Sequence, residues 1–146
     1  MVMIKIYRDS ALAVIPKYKT IGSAGADIYS IETITLQPGE RAMIKTGLYF
    51  ELPTGIEMQI RPRSGLAAKF GITMINCVGT LDSDYRGELL VPLINLSDEP
   101  YTISVGDRIA QMIFAEYERG CFDERENYEE LEKTERDKGG FGSTGK

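Results

Sequence analysis

Apolar and polar residues alternate one for one through two stretches of the chain. In RAMIKTGLYFEL, Ile44, Thr46, Leu48, Phe50 and Leu52 fall on one side, and in GIEMQIRP, Ile56, Met58 and Ile60 alternate with Glu57, Gln59 and Arg61. A period of two is that of a strand with one face buried and the other wet. ELLVPLINL and RIAQMIFAEY are instead almost unbroken apolar runs, which predicts strands covered on both faces, inside a sandwich or at a subunit contact. Pro92 lacks the amide that an inner strand donates, so it predicts an edge or a bulge in the first of these. Turn signals separate the runs at Pro38-Gly39, Pro53-Thr54-Gly55, Asp82-Ser83, Ser97-Asp98-Glu99-Pro100 and Gly106-Asp107. Short strands at this spacing predict an all-β domain. The single predicted helix is GLAAKFG, residues 65 to 71, opened by Arg63-Ser64-Gly65 and closed by Gly71.

The pattern changes after Gly120, where CFDERENYEELEKTERDK carries dense charge and apolar residues too sparse for an amphipathic helix. Residues 1–120 are therefore expected to form the β domain. Residues 121–146 are expected to be a charged connector and a flexible glycine-rich arm, not a second domain. A length of 146 residues suits one core.

Composition narrows the chemistry. The net charge of -5 opposes a general nucleic-acid surface. No apolar run approaches the roughly 20 residues of a membrane span, and the N-terminus lacks a signal-peptide pattern, so a cytoplasmic location is expected. The absence of histidine excludes Ser-His and Cys-His nucleophile systems and imidazole zinc sites. Acid-base work must then fall to carboxylate, lysine or tyrosine. Cys77 and Cys121 are expected to be free thiols.

Several stretches carry candidate chemistry. In PRSGLAAKFG, a turn bearing Arg63 and Ser64 opens a helix, aiming amides, a hydroxyl and a guanidinium at one point, as a phosphate site requires. An N-cap serine beside a surface arginine accounts for the same residues. In GTLDSDYRGEL, the two aspartates are good turn formers, but Leu81 before Asp82 and Tyr85 after it predict a hairpin with an apolar wall. Asp82 against that wall is the natural group to activate water. Gln111, inside an apolar run with Ile109 and Ile113, needs a partner, either a neighbouring strand or a ligand. In SAGADIYS, small residues allow close backbone approach, and Asp27 can orient magnesium-bound water or simply shape a turn. From Gly140 the ending matches the opening of a P-loop, yet the Ser or Thr and the helix that should follow its lysine are missing.

Taken in order, these stretches resemble the homotrimeric deoxyuridine triphosphatase (dUTPase) family. Its five motifs are matched by AGADIYS, PRSGLAAKFGI, NCVGTLDSDYRGEL, RIAQMIF and RDKGGFGSTG. The resemblance implies a jelly-roll-like β fold, a barrel or sandwich with one short helix, assembled as a homotrimer with shared active sites. It implies Mg2+-assisted hydrolysis of dUTP to dUMP and pyrophosphate by in-line water attack on the α-phosphorus, which lowers dUTP and supplies dUMP for thymidylate synthesis. By the same resemblance Asp82 is the catalytic base and Tyr85 the ring under the deoxyribose. Asn76, Gly79, Thr80, Leu81 and Leu90 read uracil. Arg63, Ser64, Gly65 and Gln111 hold phosphate, and Asp27 meets magnesium through water. In the arm, Arg136, Gly142, Ser143 and Thr144 close on the γ-phosphate, and Phe141 covers the base. One departure stands out: Asp137 occupies a place where many members carry glycine. Two alternatives share the fold. A dCTP deaminase needs a glutamate where this chain has Pro92, and a non-catalytic nucleotide-sensing module would not need Asp82.

Overall fold

The computed structural model describes residues 2–140. In chain order the strands are β1 (Lys5–Arg8), β2 (Ala26–Tyr29), β3 (Ile34–Leu36), β4 (Arg41–Glu51) and β5 (Ile56–Arg61). The helix α1 (Ser64–Phe70) follows, then β6 (Ile72–Met74), β7 (Gly79–Leu81), β8 (Glu88–Asn95), β9 (Tyr101–Ile103) and β10 (Arg108–Glu116). A 3-10 turn at Tyr128–Glu130 is the only regular element among the described residues after β10. The strands form two four-stranded sheets, ordered β1-β4-β8-β6 and β2-β10-β5-β7, with β3 and β9 as a separate pair. All pairings are antiparallel.

The core lies between the two large sheets, as alternation demands. Ile44, Leu48 and Phe50 from β4 meet Met58 and Ile60 from β5, Leu89, Val91 and Leu93 from β8, and Met112 from β10. Burying a side chain of this size contributes about 1.5–3 kcal/mol. Buried polar groups are all partnered among the described residues. Asn95, fully buried, donates to the carbonyls of Leu36 and Glu99 at 3.0 and 2.7 Å and accepts from Ser97, so one amide ties β3, β8 and the turn before β9 together.

Two expectations are corrected. Pro92 lies on an inner strand, because β8 is flanked by β4 and β6. Its carbonyl accepts from Ile75 N, just past the Met74–Leu93 pair that ends the β6 ladder. A residue's amide and carbonyl point to the same side of a strand, so the missing donor faces a place where the ladder has already ended. The bulge expected there sits instead in β4, where pairing with β8 shifts between Lys45 and Tyr49 around Gly47, at φ 63. Within one chain the β8 run is covered on one face, with Leu90, Pro92 and Ile94 half-buried on the other, the face that the expected subunit contact would cover. Finally, the segment 79–89 is not a paired hairpin, since β7 pairs with β5 in one sheet and β8 with β4 in the other. The chain crosses between sheets there and opens a wedge.

The helix is as expected, with Gly71 closing it at φ 66 and donating to Ala67 O. Ser64 is not its cap. Arg63 takes that position without a side-chain bond, so the Ser64 hydroxyl is not used in capping the helix.

Candidate active site

The wedge between the sheets is a cavity of about 200 Å³. Asn76, Gly79, Thr80, Leu81, Asp82, Tyr85 and Leu90, all predicted from the sequence, line it. Its apolar floor comes from Met43, Ile60, Met74, Leu89 and Pro92, none of which the sequence singled out as site residues, because pairing partners decide which strand ends meet. The backbone of β7 runs along one side. Thr80 pairs with Gln59, and Gly79 keeps the wall close to Asn76, where a Cβ would stand 3.2 Å from its Nδ2. Such a slot, with backbone groups at one wall and a floor without charge, suits a flat heterocycle read by its edge.

Asp82 and Glu88 are the two carboxylates lining this cavity, and they are not equivalent. Glu88 Oε1 accepts the amides of Thr46 and Gly47 at 3.1 and 2.8 Å, so it holds the β4 bulge. Asp82 is exposed at the rim and joins no ion pair among the described residues. Asp84, its partner in the turn, lines an adjoining recess that it shares with Asp82, and not the cavity.

Tyr85 is fixed over the cavity from three directions. Its amide donates to Asp82 O at 3.2 Å and its hydroxyl to Glu88 O at 3.2 Å, while Arg86 Nη1 donates to the carbonyls of Ser83 and Tyr85 at 2.8 Å each. Gly87 lies beneath the ring, and any Cβ there would overlap the phenol. Gly87→Ala must therefore tip the ring out of place. A displacement near 1 Å at a positioned group costs on the order of a hundredfold. The variant is expected to stay folded and to lose about 10- to 100-fold in kcat/KM, measured by steady-state kinetics.

A second cavity of about 250 Å³ gathers the predicted phosphate residues Arg63, Ser64, Gly65 and Gln111 and the predicted magnesium contact Asp27, together with Lys19, Ser23, Gly25 and Arg108. Pairing explains the meeting. Gln111 stands opposite Asp27 on β2 and Arg61 on β5. Its Nε2 donates to Pro62 O at 3.0 Å, so a neighbouring strand end does supply a partner. Gly25 allows the amide to approach, as a Cβ would come within 2.5 Å of Gln111 Oε1. Gln111 does not share a buried face with Ile109. A bulge between Arg108 and Ala110 breaks the alternation, so Ile109 and Ala110 are both buried while Gln111 and Ile113 are half-buried.

Asp27 holds two guanidinium groups, Arg63 Nε at 3.4 Å and Arg108 Nη1 at 3.2 Å, and Arg63 also donates to Arg108 O at 2.9 Å. This carboxylate positions two cations. Arg108 was missed in the sequence, although it stands between the Gly106-Asp107 turn and the apolar run.

Beyond β10 the described residues 121–140 are exposed except Gly139 and Gly140. Their hydrogen bonds are made within the segment. Arg136 Nε donates to Gly139 O at 2.9 Å, and Arg136 lines neither cavity. Asp137 is the non-glycine residue with positive φ among the described residues, at 41°, at the position where the resemblance leads one to expect glycine. Its conformation is held by Thr134 Oγ1, which accepts its amide, and by Tyr128, whose hydroxyl donates to its carboxylate at 2.9 Å. That bond holds the Tyr128 phenol above its ordinary range. Phe141, Gly142, Ser143 and Thr144 lie outside the described residues.

Comparison with known proteins decides the family. A dUTPase family profile matches residues 12–145. The chain belongs to the dUTPase family. Among its relatives, the deoxyuridine 5'-triphosphate nucleotidohydrolase of Finegoldia magna is 59% identical over 133 residues, 90% of this chain and 91% of that one. The enzyme of the same name from Nautilia profundicola is 52% identical over 143 residues, 98% of this chain and 99% of its own. A variant of the dUTPase of Staphylococcus bacteriophage 80alpha, solved with dUpNHpp, superposes with a TM-score of 0.88 at 26% identity, covering 98% of both chains. The dUTPase fold thus extends over the chain from the first strand into the arm.

Proposed function

We propose that the protein hydrolyses dUTP to dUMP and pyrophosphate, with the wedge cavity holding the deoxyuridine and Asp82 activating the attacking water. The observation that carries this reading is the set of motif residues, Asn76, Gly79 to Asp82, Tyr85 and Leu90, converging on one slot in a chain of the dUTPase family. Uracil is read by backbone groups of β7 and by the Asn76 amide. Tyr85 packs against the deoxyribose and leaves no space for a 2'-hydroxyl. Water attacks the α-phosphorus, the bond to the bridging oxygen of the pyrophosphate breaks in line, and Asp82 takes the proton of the water.

The two cavities have no lining residue in common. One chain therefore offers a base slot and a phosphate basin as separate surfaces. A homotrimer that sets the basin of one chain against the slot of the next joins them, with the Arg136–Thr144 segment closing over the nucleotide. The described residues contain no cluster of three or more metal-ligating side chains, and Asp27 is engaged by two arginines. Mg2+ would be carried in by the triphosphate, and Asp27 is the residue of this chain that would meet it, through water. When bound, Mg2+ offsets charge on the phosphates and eases the departure of pyrophosphate. No helix of the described residues is long and apolar enough to cross a membrane, and a cytoplasmic location is the reading that goes with a dUTP-hydrolysing activity.

A pyrophosphate-release assay across dUTP, dTTP, dCTP, dATP, dGTP and UTP tests the reading. Release from dUTP alone, or at least about a hundredfold faster than from the others, is expected, because a polar mismatch in such a slot costs more than a methylene. Ammonia release from dCTP would instead indicate deamination, which the commitment of Glu88 to the β4 bulge and Pro92 at the cavity floor both oppose.

A further inference from the structure

The phosphate basin contains one cation that the family motifs do not account for. Lys19 lines it beside Arg63, Ser64, Arg108 and Gln111. The loop that presents it is built, not loose. Tyr18 and Ala26 form an antiparallel bridge across its base. Within it, Ser23 N donates to Thr20 O at 3.1 Å, and Ser23 Oγ meets the Thr20 amide and hydroxyl at 3.1 and 2.9 Å. Lys19 thus sits between the bridge and a closed four-residue turn. The strand that returns from the turn carries Asp27, which anchors the other two cations.

The charge balance gives this placement its meaning. Arg63 and Arg108 share the single carboxylate of the basin, Asp27, whereas Lys19 joins no ion pair among the described residues. Three cations against one anion leave two positive charges in a basin of a chain whose net charge is -5. Confining that excess in a recess attracts a ligand of high negative charge, and a flexible ammonium serves as a mobile point charge where Arg63 and Arg108 are fixed.

We propose that Lys19 is a further binding residue for the polyphosphate tail of the substrate and for pyrophosphate before it leaves. The proposal rests on the dUTPase reading of the basin. An exposed charge-assisted contact is worth up to about 1 kcal/mol, roughly a fivefold change in affinity. Lys19→Ala is therefore expected to raise the KM for dUTP and the inhibition constant of pyrophosphate about fivefold each, and to flatten the dependence of KM on ionic strength. Lys19→Arg should restore most of the loss. Deoxyuridine, which has no tail, should inhibit both proteins alike. Unchanged KM and pyrophosphate inhibition in Lys19→Ala would overturn the proposal, as would an equal weakening of deoxyuridine, which would reveal a general distortion. Pyrophosphate binding is also measured by titration calorimetry, apart from turnover. A protein that failed to hydrolyse dUTP but bound pyrophosphate in a Lys19-dependent way would retain the site and lose only the dUTPase reading.

Discussion

Asp82→Asn is expected to remove nearly all dUTP turnover, by about 10²- to 10⁴-fold, the usual worth of a positioned general base. Nucleotide affinity should stay close to that of the wild-type protein. The substitution keeps size and shape, and the slot that grips the nucleoside is made by β7 backbone, Asn76, Leu90 and Tyr85, which the Asp82 side chain does not hold in place. What holds Tyr85 to residue 82 is the backbone bond from its amide to Asp82 O, which asparagine preserves. Asp84→Asn supplies the matched control. Both aspartates are exposed, but Asp84 faces only the recess beyond the turn, so its turnover should remain within about threefold of wild type, the range of a surface change. Single-turnover kinetics with dUTP, together with binding of a non-hydrolysable analogue, separates the two effects. Equal losses in both variants would make the turn's overall charge, not one base, the catalytic feature.

That distinction between Asp82 and Asp84 was only half legible in the sequence. Leu81 and Tyr85 marked Asp82 as the one against an apolar wall, yet which carboxylate met a ligand depended on where the chain crossed from sheet to sheet. The parts governed by local period were open to reading. Thr46, Leu48 and Phe50 are buried as their alternation requires, and Gly71 ends the helix because its φ of 66 suits glycine. The misreadings share one cause, non-local pairing. Pro92 excludes an inner strand only if a neighbour needs its amide, and β6 ends one residue too early to need it. The segment from Gly79 to Leu89 has the look of a hairpin, but β5 and β4 claim its two halves separately. Gln111 keeps company with Ile113 but not Ile109, since a bulge that no single residue announces lies between them. Arg108 stayed hidden because its meaning lies in Asp27, 81 residues away, which it contacts across the β2–β10 pair.

Removal of residues 136–146 is the other change expected to have a large effect, and its physical basis differs. Among the described residues, the segment after Gly120 hydrogen-bonds only within itself, and its apolar side chains, such as Phe122 at 96% exposure, lie outside the core. Truncation should therefore leave the thermal midpoint and the assembly state, read by calorimetry and by light scattering, close to those of the full chain. Turnover should fall at least about a hundredfold. The lost groups are the Arg136 guanidinium, two hydroxyls and the Phe141 ring. Charge-assisted hydrogen bonds contribute about 1.5–3 kcal/mol each, and each 1.36 kcal/mol is tenfold in rate. Two such bonds made only when the arm closes already account for a hundredfold, before the exclusion of water that a lid provides. The KM-against-kcat split then tells which step the arm serves. A loss in kcat with little change in KM means that closure completes the arrangement around the α-phosphorus. A rise in KM alone would make the arm a tether for the nucleotide, and unimpaired hydrolysis would remove it from the site.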